Sequence, residues 1–227
     1  MSSPIVHRCC LLAATLCVLV AVGADAQTTS EPIGRVQVGV GVGWLGGSVF
    51  GEQPADLRAA SGGPYRLFES NTELASTGVF EARVGIRLTR RYGIEGRAAM
   101  SSPELRTVVS SDAETTGSFT LAEQIDQYVF DGGIVIRLDE WETSGLAPFA
   151  SAGLGYVRQL HEEHELGEDG YLFYVGGGFT HALFSGAQGL IRAASVRADL
   201  RLNLISMELD EGSRSQGSVS GSIVFTF

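Results

Sequence analysis

The chain has 227 residues, a formal net charge of −10 and four histidines. That length suffices for one barrel or one ordinary domain. The acidic balance argues against a nucleic-acid partner, which needs a basic face to neutralise phosphates.

The N-terminus reads as an export signal. His7 and Arg8 precede an apolar run of 14 residues from Cys9 to Val22. A spanning helix needs about 20. Ala24-Asp25-Ala26 follows, a small-x-small cleavage pattern. The expectation is a signal peptide over 1–26, cleavage after Ala26, and one barrel domain over 27–227. All three cysteines (Cys9, Cys10, Cys17) fall inside the signal. The mature part then has no disulfide and no thiolate metal site. Leu16 before Cys17 is not the small residue of a lipoprotein site. No mature segment approaches 18 apolar residues, so a membrane crossing would require a closed barrel.

From Gln27 onward the dominant signal has period two. In 35–44, Val36, Val38, Val40, Val42 and Trp44 alternate with Gln37, Gly39, Gly41 and Gly43. In 78–88, Phe80, Ala82, Val84, Ile86 and Leu88 alternate with Glu81, Arg83, Gly85 and Arg87. A third strand begins at Tyr92, with Ile94, Ala98 and Met100 opposed to Glu95, Arg97 and Ala99. Next, 124–138 sets Tyr128, Phe130, Ile134 and Ile136 against Gln127, Asp131 and Arg137. In 147–160, Ala150, Ala152, Leu154 and Tyr156 oppose Ser151, Gly153 and Gly155. In 170–183, Tyr171, Phe173, Val175 and Phe179 oppose Gly176, Gly178 and Thr180. In 191–205, Val196, Ala198, Leu200, Leu202 and Leu204 oppose Ser195, Arg197, Asp199, Arg201 and Asn203. In 216–227, Val219, Ile223, Phe225 and Phe227 oppose Ser218, Ser220, Ser222 and Thr226.

These eight segments are long enough to cross a bilayer at a tilt, and the even number leaves both ends on one side. The connections 45–77 and 104–123 read as long loops, and Arg90-Arg91 and 139–146 as short ones. Alternating long and short connections fit an outer-membrane barrel, although 161–169, 184–190 and 206–215 follow the rule poorly.

Alternation alone leaves open which face points outward, because a soluble lipocalin-like barrel alternates too. Three features favour the membrane. The non-apolar face is small, rich in Gly, Ser and Ala. It carries both charge signs: Arg83, Arg87, Arg97, Arg137, Arg197 and Arg201 against Glu81, Glu95, Asp131 and Asp199. Such charges can pair in a narrow lumen, where an unpaired charge is costly. Aromatics (Trp44, Tyr92, Tyr156, Tyr171, Phe225, Phe227) lie near strand ends, as interfacial girdles do.

The terminal Gly221-Ser222-Ile223-Val224-Phe225-Thr226-Phe227 resembles the last-strand signal of bacterial outer-membrane proteins. Ala82-Arg83-Val84-Gly85-Ile86-Arg87-Leu88 with Arg90-Arg91-Tyr92-Gly93-Ile94-Glu95 resembles the strand–turn–strand of small OmpA-like barrels. Pro148-Phe149-Ala150-Ser151-Ala152-Gly153-Leu154-Gly155-Tyr156 is similar to another of their strands. The resemblance is diffuse and covers most of 34–227. It implies an all-β, eight-stranded antiparallel up-and-down transmembrane barrel in contact with outer-membrane lipid. It also implies insertion by the barrel-assembly machinery, with Ile223, Phe225 and Phe227 as the assembly signal. It implies no enzymatic activity. A further domain after Phe227, such as the peptidoglycan-binding extension of full-length OmpA, is not expected.

No catalytic, cofactor or metal site is expected. Gly39-Val40-Gly41-Val42-Gly43 lies within a strand, whereas a nucleotide-binding glycine loop joins a strand to a helix. Gly176-Gly177-Gly178 reads as room for curvature. His161-Glu162-Glu163-His164-Glu165 spaces its histidines three apart, not the four of a zinc-protease helix. Around His181 no serine lies two residues on, so the motif associated with lipid A deacylases is missing. The charges of the inner face read as a structural ion-pair network rather than a conducting path. The 45–77 connection, with Phe50, Pro54, Pro64, Tyr65, Leu67 and Phe68, is a candidate contact for a surface ligand. The preferred reading is a structural or surface-interaction barrel. The alternatives are a small porin-like channel for polar solutes and a soluble periplasmic barrel holding an apolar ligand.

Overall fold

The structure is a computed structural model that describes residues 35–58, 64–110, 118–143, 145–161, 167–186, 190–207 and 213–227. The expected signal peptide, with Ala24 and Ala26, lies outside the described residues, as do 162–166 with His164. The described residues are almost entirely extended. In chain order the strands are β1 (Val36–Leu45), β2 (Ser48–Arg58), β3 (Pro64–Leu74), β4 (Thr77–Arg87), β5 (Tyr92–Ser101) and β6 (Glu104–Ser110). They continue as β7 (Phe119–Gln124), β8 (Asp126–Arg137), β9 (Leu146–Leu160), β10 (Gly167–Ser185), β11 (Ala193–Met207) and β12 (Ser213–Thr226). Among the described residues one 3-10 turn, Asp139–Trp141, sits between β8 and β9.

Eight of these strands close into an antiparallel barrel in the order β1-β12-β11-β10-β9-β8-β5-β4. Every barrel strand neighbours the next one along the chain. β1 completes the circle by pairing with both β12, from Gln37↔Thr226 to Leu45↔Ser218, and β4. Closure removes the free edges that would leave backbone groups unpaired. All eight expected strands belong to this barrel.

The long connections depart from the loops expected over 45–77 and 104–123. The first folds as the β2–β3 hairpin and the second as the β6–β7 hairpin. β3 then pairs with β6, giving a second, four-stranded sheet in the order β2-β3-β6-β7. The physical reason is cooperative. A two-stranded hairpin is marginal alone, and pairing two hairpins supplies the third and fourth strands that stabilise them. This sheet leaves the barrel at the end opposite the β4–β5 turn, and Leu74 and Ile125 are buried where it joins the barrel.

The side chains decide the orientation of the barrel wall. Along β4 and β12 the burial alternates almost without interruption. The apolar members of the alternation are the exposed ones: Val40, Phe80, Val84, Ile134, Leu154, Phe173, Leu200 and Val219 all face out. The polar members face in: Glu81, Arg83, Arg97, Asp131, Arg197, Asp199, Arg201, Ser220 and Ser222 are buried.

Candidate functional site

The centre of the lumen is filled by four arginines and four carboxylates. They come from β4 (Glu81, Arg83), β5 (Glu95, Arg97), β8 (Asp131) and β11 (Arg197, Asp199, Arg201). The two-residue period puts Glu81 with Arg83, Glu95 with Arg97, and Arg197 with Asp199 and Arg201 on the same inward face. Ladder register then brings the strands level, with Arg83 opposite Arg97 and Arg97 opposite Asp131.

The bonds cross the barrel. Arg83 donates to Glu81, to Asp199 at 3.0 Å and to Glu95 at 3.5 Å. Arg97 donates to Asp131 at 2.7 Å and to Glu81 at 3.2 Å. Arg197 grips Asp199 with Nε at 3.0 Å and Nη2 at 2.9 Å, and reaches Glu95 at 2.5 Å. Arg201 donates to Asp131 at 3.2 Å and to Glu95 at 3.3 Å. The Ser220 hydroxyl on β12 adds a bond to Glu81 at 3.0 Å. No side chain of the eight is more than 9% exposed. The four positive and four negative charges balance, so each ion is compensated within the cluster and none is left buried alone.

Two aromatic rings and several glycines shape this cluster. The Arg197 guanidinium stacks over Phe149 at 4.1 Å from the ring centroid, and Arg201 over Tyr174 at 4.6 Å. Cations bind the faces of such rings. The glycines opposite the long side chains provide space. A Cβ at Gly176 would lie 2.8 Å from Arg201 Cγ, and one at Gly41 would lie 3.1 Å from Glu81 Oε1.

Above the charges, toward the outer sheet, lies an apolar collar of Val79, Ala99, Val129, Val157, Leu172, Ile205 and Met207. Beyond it Gln159 donates to Gln127 at 2.7 Å. A cavity of about 20 Å³ is left at the level of the collar, reaching down to Arg97. That is room for about one water molecule.

Of the ten charged residues assigned to the lumen from sequence, the structure joins Glu81, Arg83, Glu95, Arg97, Asp131, Arg197, Asp199 and Arg201 in this cluster. Arg87 is buried and Arg137 half-buried toward the barrel end where β1 begins and β12 ends, and each has an interaction of its own. Sequence parity already places Ser220 on the polar face of the last strand, whereas Tyr174 and Phe149 were not assigned to the inner face from sequence. Parity could have found these two: Tyr174 is in phase with Gly176 and Phe149 with Ser151.

The other singled-out residues are scattered. Ile223 faces out from β12, and Phe225 and Phe227 are half-buried, with the Phe227 N–H donating to the Val36 carbonyl at 3.0 Å. His161 Nδ1 lies 3.0 Å from Glu123 Oε1, tying the end of β9 to β7. His181 Nδ1 lies 3.1 Å from the Gly145 carbonyl. Among the described residues no three His, Cys, Asp or Glu side chains gather as a metal site. In the 45–77 connection, Phe68 is exposed on β3, Leu67 is half-buried, and the side chains of Phe50, Pro54, Pro64 and Tyr65 lie outside the described set.

No protein-family model matches the sequence, and no curated protein does either. Solved structures do match. The chain is similar to the outer membrane protein OprG of Pseudomonas aeruginosa, with a TM-score of 0.50 and 11% identity, over 87% of this chain and 98% of that one. It is also similar to Neisserial surface protein A, with a TM-score of 0.51 and 12% identity, over 84% of this chain and 97% of that one. At these identities the likeness is one of fold: this chain has the fold of the eight-stranded outer-membrane barrels.

Proposed function

We propose that the chain is an outer-membrane barrel with a structural or surface-interaction role, its lumen closed by ion pairs and its outer sheet projecting from the membrane. One observation carries this reading: the wall is apolar outside and charged inside. Phe80, Leu154 and Leu200 are 64%, 66% and 63% exposed, while Arg83, Asp199 and Arg201 are at most 4% exposed. In water this arrangement forfeits roughly 25 cal/mol for each Å² of apolar wall. Against hydrocarbon it forfeits nothing, and the closed ladder meets the demand that every backbone group be paired within the barrel. The same inversion counts against a soluble barrel with an apolar ligand, since the inner face at mid-height offers charges. The filled lumen supports a closed barrel over a channel.

Insertion by the barrel-assembly machinery is part of this proposal. It is supported by the alternation of Ile223, Phe225 and Phe227 along the last strand.

Cell fractionation with gel migration before and after heating tests the location. The expected result is a membrane-bound, detergent-extracted band that shifts on boiling. A soluble, detergent-independent protein overturns the reading. Planar-bilayer recording tests the role: a silent bilayer is expected, and reproducible conductance steps would establish the channel instead.

A further inference from the structure

We infer that the lumen contains a built site for one water molecule, held between Asn203 on β11 and Gln216 on β12. The two residues are direct partners in the β11–β12 ladder. Both point inward, and they are 4% and 2% exposed. Partners in an antiparallel ladder hold their Cβ atoms about 4.5–5.5 Å apart, which keeps the two amides near enough for one water to bridge them.

The amide of Gln216 is oriented by the backbone. Its Nε2 donates to the Gly46 carbonyl at 2.9 Å, which turns Oε1 the other way. That oxygen and Asn203 Oδ1 are both buried with no protein donor. Both side chains line the cavity of about 20 Å³ beneath the outer sheet. A buried water needs about 10–15 Å³ of such space and two to four polar partners, and both conditions are met here.

The lining also selects the chemistry of the occupant. No carboxylate lines the cavity, and Arg97 there is already paired with Asp131 and Glu81, so a metal cation would find no anionic ligand. An anion would meet two carbonyl oxygens. An apolar occupant fits the Val79 and Leu172 walls but leaves both oxygens unsatisfied. A neutral molecule with two hydrogens to donate satisfies all of these, and the volume limits it to the size of water. The site stands on top of the ion-pair cluster and makes this level of the lumen wet without making it a passage.

A crystal structure of the full barrel, followed by xenon pressurisation of the same crystals, tests the inference. The expected result is one ordered water within hydrogen-bonding distance of both Asn203 Oδ1 and Gln216 Oε1, with no xenon taken up there. A dry, well-ordered site, or xenon in the unaltered protein, overturns it. A rubidium soak adds a further arm: an anomalous peak between the two amides would replace water by a cation and also overturn it. The variant carrying Asn203→Leu and Gln216→Met should lose the water. If that variant does not fold, the experiments on the unaltered protein still decide.

Discussion

Arg83 on β4 and Asp199 on β11 meet at 3.0 Å across the lumen, although 116 positions separate them in the chain. Each side chain is 2% exposed. Asp199 also holds Arg197 through two bonds and lies 3.8 Å from Arg201 Nη2, so one carboxylate faces three buried guanidiniums. Replacing Asp199 by Asn should therefore leave positive charge uncompensated in the interior. The expected loss is about 3–5 kcal/mol of unfolding free energy. Urea titration in lipid vesicles, read by Trp44 and Trp141 fluorescence, measures it. Removing the pair together, Arg197→Met with Asp199→Leu, should cost clearly less than the single change.

Space opposite the charges makes a second prediction. At Gly176 an added Cβ would lie 2.6 Å from the Leu200 carbonyl oxygen and 2.8 Å from Arg201 Cγ, and at Gly217 it would meet nothing within 4 Å. Gly176→Val should cost about 1–3 kcal/mol through overpacking. Gly217→Ala should change stability little. Equal effects in the same urea titration would show that Gly176 is not a packing glycine.

The outward face makes a third. Leu202 is 49% exposed beside the mid-lumen Arg201. Leu202→Arg places a charge against the hydrocarbon near the midplane and should cost about 2–4 kcal/mol, with a smaller cost for the same change near a strand end. A soluble barrel would accept this arginine with little change, so folding yield into vesicles separates the two cases.

The outer sheet makes a fourth. Every residue of β7 except Glu123 is exposed, and β6 has no fully buried side chain. Amides of β6 and β7 should exchange with deuterium faster than those of β4 and β5, because few buried contacts hold them closed. Uniform protection across both sheets would mean that the outer sheet opens only with the barrel.

Much of this protein is legible residue by residue. Val36 to Trp44 announces a strand because side chains alternate between two faces with period two, a property of the local backbone. The same parity placed Glu81, Arg97, Asp131 and Asp199 on one side of their strands. The β2–β3 and β6–β7 hairpins were not legible. Segments such as Glu69 to Leu74 carry weak alternation, and they become a sheet by pairing Asn71 with Val108 and Thr72 with Thr107 across the chain.

The sequence by itself determined where the eight barrel strands run, which residues share a face, and that the charges of one face come in both signs. Only the tertiary structure decided that this face turns inward, which arginine grips which carboxylate, and that Asn203 and Gln216 stand side by side. The reason is physical. Alternation is set by neighbouring residues, but the direction of a face is set by the curvature of the closed sheet. That closure depends on β1 pairing with β12, from Gln37↔Thr226 to Leu45↔Ser218, at opposite ends of the barrel chain.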